Sequence, residues 1–130
     1  MSAQNTSYAG DEELVAQFLE WTGSAMLEMR DIVNGMADTE AKDADTSTRL
    51  YDLSHNIKGM GASFDFQLMT SVGTSLCKYI KTADGDLSKR VIDAHVRAFE
   101  VVLEHKIKGD GGEKGAALES RLAAIIAEAG

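Results

Sequence analysis

The chain has 130 residues, a formal net charge of −8, 44% hydrophobic residues, one cysteine and no proline. That length points to one domain whose core needs no metal or disulfide staple, and the lone Cys77 excludes an internal disulfide framework. No cluster of lysine and arginine exists to replace phosphate counterions, which argues against nucleic acid as a partner, and the lack of proline favours long helices over a turn-rich β architecture.

Residues 1–10 are small and polar and read as a flexible N-terminus without a basic-then-apolar leader. Asp11, Glu12 and Glu13 suit the positive end of a first helix, along which Leu14, Phe18, Trp21, Ala25, Met29, Ile32 and Met36 keep helical spacing. Trp21, on that stripe, reads as core. Residues 37–46 lose the periodicity and gather charge, so a connection belongs there. Asp43, Asp45 and Ser47 lack the glycine and glutamate that a calcium loop requires further on, and residues 84–88 fail the same test.

A second helix starts near Asp45 or Thr46, with Leu50, Leu53, Ile57, Met60 and Phe64 forming its apolar stripe. His55 lies off that stripe and shares the opposite face with Thr48, Tyr51, Asp52, Lys58, Gly59 and Ala62. Gly59 and Gly61 each cost a helix roughly 1 kcal/mol relative to alanine, so each calls for a compensating gain. At Gly59, one turn beyond the histidine, the gain is space for a bulky partner to reach the imidazole. Lys58 offers an ammonium at i+3 for a doubly charged phosphoryl group, and neutral imidazole is a competent nucleophile. The three residues together point to phosphoryl chemistry.

Beyond Asp65, the repeat of Leu68, Val72, Leu76 and Ile80, with Tyr79 beside it, predicts a third helix that ends near Ala83, Asp84 and Gly85, with Gly85 a natural stop. Gly73 either lets this helix approach the histidine helix closely or is merely tolerated, and Cys77 reads as a small packing residue. Leu87, Val91, Ala94, Ala98, Val101 or Val102 and Ile107 define a fourth helix. Its two histidines, His95 and His105, lie about 80° out of alignment, which argues against a metal pair and for surface or helix-end positions. Residues 109–115 lack the order of a phosphate-binding loop and read as a flexible hinge. Leu118, Leu122, Ile125, Ile126 and Ala129 make a short amphipathic fifth helix that is expected to dock on the others.

The expected architecture is all-α: an up-and-down antiparallel four-helix bundle over residues 11–109, with a hinge and an appended C-terminal helix over residues 110–130. No apolar run is long enough to span a bilayer, so the chain reads as cytoplasmic, and without a sustained heptad seam a monomer is expected.

The run His55-x-x-Lys58-Gly59, with Gly61 at the next small position, Phe64 nine residues on from His55 and Leu68 beyond it, resembles the histidine-containing phosphotransfer (HPt) domain over residues 11–109. The resemblance implies a phosphoryl carrier with His55 as the phosphorylated nucleophile, Lys58 as charge stabiliser and Gly59 as steric clearance. It would have no ATP site or cofactor of its own. Its partners would be a (hybrid) histidine kinase and response-regulator receiver domains, which bring the Mg²⁺ and the acid pocket. Helical geometry places receiver docking over Tyr51, Asp52, Asn56, Ala62 and Ser63.

Two departures stand out. Such domains usually have glycine directly after the Phe64 position, where this chain has Asp65, whose carboxylate can cap the next helix. The phosphorylation domains of chemotaxis kinases, which the chain also resembles, place a glutamate on the following helix to orient the imidazole, where this chain has Cys77. The alternatives are such a kinase domain or a non-catalytic helical adaptor. A dinuclear metal enzyme is rejected because the carboxylate and histidine spacing of Asp52 and His55 has no second copy.

Overall fold

A computed structural model describes residues 10–129, so the expected flexible N-terminus lies outside the described residues except for Gly10. Five helices dominate: α1 (Glu12–Gly35), α2 (Asp45–Gly61), α3 (Gln67–Thr82), α4 (Lys89–Glu104) and α5 (Gly112–Ala129). The protein is all-α apart from two short strands, β1 (Thr39–Glu40) and β2 (Leu87–Ser88).

Local chemistry sets the helix ends. The Asp11 carboxylate accepts the Leu14 N–H at 3.0 Å, and Glu12 and Glu13 complement the positive end of α1. Ser88 caps α4 in the same way through the Val91 N–H. Residues 37–46 do more than connect, because β1 pairs antiparallel with β2, Thr39 opposite Ser88. That bridge ties the link before α2 to the link before α4. α3 ends at Thr82, with Ala83 extended as its C-cap, next to the expected end near residues 83–85, and Gly85 lies beyond the cap.

The apolar stripes meet in one core that includes Met29, Leu50, Ile57, Val72, Leu76 and Phe99, with Trp21 packed at its edge. α1 packs on α2 and α4, α2 on α3, and α3 on α4, while α5 docks against α3 and α4 with Leu122 and Ile125 buried. The α2–α3 contact is tight. A Cβ added to Gly73 would come within 2.9 Å of the Lys58 Cβ and 3.1 Å of the Ser54 carbonyl oxygen, so the close-approach reading of Gly73 holds.

Polar links reinforce the packing. Arg30 on α1 holds Glu100 at 2.7 Å and Asp93 at 2.5 Å on α4, and its guanidinium pKa is raised chiefly by the hydrogen bond to Glu100. Arg49 on α2 grips Glu28 on α1 through two N–H donors.

Two expectations about the second half fail. His95 is not at the surface but fully buried: its Nδ1–H donates to the Val91 carbonyl at 2.8 Å, leaving Nε2 bare to accept the Ser75 hydroxyl at 2.8 Å. With both nitrogens satisfied, the ring is buried at little polar cost. His105 does stand exposed at the end of α4. Residues 109–115 are not all connection, since α5 already starts at Gly112 and the turn before it is hydrogen-bonded to the α2–α3 corner. Gly109 donates to the Asp65 carbonyl at 2.7 Å and accepts from the Leu68 N–H, and a Cβ at Gly115 would run into the Asp110 carbonyl. Among the described residues, no helix is long and apolar enough to cross a membrane.

Candidate functional site

His55 is exposed on α2, and Tyr51, one turn earlier, is half-buried against the core. Their rings stack with centroids 6.0 Å apart and planes 8° from parallel. The geometry follows from the helix, because side chains four residues apart share a face and each leans toward the N-terminal turn. A side chain at position 59 would therefore lean back over the imidazole. Gly59 has none, and a Cβ built there meets nothing within 4 Å.

Asp52 and Asn56 are also exposed, and Lys58 is half-buried along its stem, where it passes Gly73. Ala62 and Ser63 do not continue the helical face. They lie in a 3₁₀ turn, Ala62–Phe64, that follows α2, with Ala62 exposed and Ser63 half-buried.

The backbone beneath these residues is fixed from α3. The Thr70 hydroxyl donates to the Lys58 carbonyl at 3.0 Å and accepts the Ala62 N–H at 3.0 Å, so one side chain satisfies two groups at the end of α2. Gly61 has a different role from Gly59: a Cβ there would sit 2.7 Å from Thr70 Oγ1 and 2.8 Å from the Phe66 carbonyl oxygen. Gly61 is thus a packing requirement of the α2–α3 corner. Phe64 anchors the turn by stacking on Phe18 of α1, with centroids 4.4 Å apart.

Asp65 closes the corner, but not by capping α3. Its backbone takes the left-handed conformation, φ 66°, and the residue before α3 is Phe66, with no side-chain cap bond. The chain therefore keeps a backbone geometry suited to glycine and fills it with aspartate, one of the few other residues that tolerate it.

Cys77 of α3 is buried against α2, its Sγ–H directed to the Tyr51 carbonyl at 3.9 Å. Burial pushes its thiol pKa up, with the Ser54 hydroxyl and the Lys58 charge pulling the other way. The packing role expected of Cys77 is the one it has. Among the described residues, neither imidazole nitrogen of His55 has a hydrogen-bond partner and the Lys58 ammonium forms no ion pair. No group of three or more described His, Cys, Asp or Glu side chains is arranged to hold a metal. A groove of about 420 Å³ between α3 and α5, lined by Ser71, Ser75, Tyr79 and Leu122 among others, does not include His55.

The structure thus brings Tyr51, Asp52, His55, Asn56, Lys58 and Gly59 onto one helix surface and sets Ala62 and Ser63 beyond its end. Sequence reasoning passed over Thr70, whose signal would have been a hydroxyl one turn before the close-packed Gly73. It also missed the stacking of Tyr51, which the i,i+4 spacing from His55 could have suggested. No family model, no curated protein and no solved structure matches the chain.

Proposed function

We propose that the protein is a histidine phosphotransfer protein of a two-component phosphorelay, carrying a phosphoryl group on His55. One observation carries the reading: an exposed imidazole stands beside a helical glycine whose missing side chain serves no packing purpose within the described residues. A helix interior that keeps glycine where alanine would fit forgoes stability, and the space it leaves lies over the imidazole.

In this reading the unprotonated imidazole nitrogen attacks the phosphorus of an aspartyl phosphate on a receiver domain. The P–N bond forms as the P–O bond breaks, the aspartate leaves as its carboxylate, and the other ring nitrogen keeps its proton until solvent removes it. Lys58, whose ammonium has no carboxylate partner among the described residues, offsets the phosphoryl charge. The receiver brings the Mg²⁺ and the acid pocket, so the carrier has neither an ATP site nor a cofactor of its own. Asp52, Asn56, Ala62 and Ser63 form the docking rim around His55, and a cytoplasmic monomer suits such a carrier.

The fold fits as well. The neighbour relations α1–α2, α2–α3, α3–α4 and α4–α1 close a ring, which supports an up-and-down four-helix bundle over residues 11–109 with α5 appended. The position at which chemotaxis kinases resembling this chain place an orienting glutamate holds the buried Cys77, which favours a carrier over a kinase's own phosphorylation domain.

The test is transfer from a panel of labelled receiver phosphates to the full chain, beside a His55→Gln control. Acid-labile, base-stable label on the wild type alone supports the reading. No label from any receiver overturns it in favour of a kinase phosphorylation domain or an adaptor.

A further inference from the structure

The imidazole of His55 has two sides along the helix, and the structure treats them differently. Toward the C-terminus is the open space at Gly59; toward the N-terminus the ring of Tyr51 lies parallel to it, 6.0 Å away. Tyr51 is itself anchored. Its ring is half-buried and packed against the core, and its backbone carbonyl accepts the Cys77 Sγ–H from α3. An exposed histidine on a helix ordinarily samples several rotamers. Here a fixed aromatic plane stands where the ring leans.

The stack matters because of what is missing elsewhere. Among the described residues no side chain hydrogen-bonds either imidazole nitrogen, so no polar group holds the ring's orientation. Among the described residues, Asp52 and Lys58, the charged residues flanking His55 on α2, form neither a hydrogen bond nor an ion pair with it. Planar contact with Tyr51 is what remains.

We propose that Tyr51 is the positioning residue of His55: its ring restricts the imidazole to the orientation whose free edge faces the Gly59 gap, so that the phosphoryl donor meets an already aligned nucleophile. This role rests on the phosphoryl-carrier reading of His55. It is distinct from docking, because an aligned nucleophile reacts faster with any donor, including one too small to touch the surrounding surface. The phenolic hydroxyl has no part in it, so phenylalanine should replace tyrosine.

The experiment uses the full chain and phosphoramidate, a small donor that brings no docking surface, with three variants at position 51. Tyr51→Phe keeps the plane, Tyr51→Leu keeps apolar bulk without the plane, and Tyr51→Ala removes both. Wild type and Tyr51→Phe are expected to label at the same rate, and Tyr51→Leu about tenfold more slowly with an unchanged melting curve. The wild-type ring-to-ring nuclear Overhauser contacts between positions 51 and 55 should persist in Tyr51→Phe alone. If Tyr51→Leu labels as fast as wild type, the positioning role is overturned while the carrier reading stands. If wild type takes label from neither phosphoramidate nor any receiver, the carrier reading falls and the positioning role with it.

Discussion

Gly73 and Lys58 touch across the α2–α3 seam so closely that a methyl group on the glycine would come within 2.9 Å of the lysine Cβ. The glycine therefore sets how near α3 can lie to the helix that carries His55. Gly73→Ala should push the two helices apart and cost about 1–3 kcal/mol, read as a lower urea midpoint with little change in slope.

Gly59→Ala should act in the opposite direction on the fold. A Cβ there meets nothing within 4 Å, and alanine favours a helix interior by roughly 1 kcal/mol, so the melting temperature should rise. Phosphotransfer from receivers should slow in the same variant, because the methyl intrudes on the gap beside the imidazole. A variant that is more stable and accepts phosphoryl groups as fast as wild type would contradict the clearance role of Gly59.

Asp65 sits at φ 66°, where glycine carries no side-chain penalty. Asp65→Gly should be neutral or stabilising by up to about 1 kcal/mol, and Asp65→Val destabilising by at least as much. Chemical denaturation of the pair measures both.

His95 gives stability a pH dependence of definite sign. Burial lowers its folded pKa below the ordinary value of 6.5, with the Val91 carbonyl opposing the shift. Between the folded value and 6.5 the unfolded chain binds more protons, so stability rises with pH through that window and is complete above it. On acidification it falls by at most about 1.4 kcal/mol per pH unit for this one group. Unfolding free energies at several pH values should show that slope in wild type and a flatter one in His95→Gln.

The helices were legible because their apolar residues repeat at intervals that need no tertiary information: Leu50, Leu53 and Ile57 on α2 and Leu68, Val72 and Leu76 on α3 all reach the core. His55, Lys58 and Gly59 were legible for the same reason, as residues off such a stripe. His95 was not, because its burial depends on Ser75 from another helix. Residues 109–115 misled because a glycine run reads as freedom, whereas positive-φ Gly109 and Gly111 build a turn fastened to Asp65 and Leu68. The β1–β2 bridge is only two residues per strand, too short for any alternation to register.

The chain's three histidines make the most direct test internal to the molecule. His55 and His105 are both exposed, and His95 is buried. After reaction with the fastest phosphorylated receiver, ³¹P and ¹⁵N imidazole spectra locate the phosphoryl group. A P–N signal is expected on His55 alone, lost in His55→Gln. Label on His105, or label surviving that substitution, would contradict it.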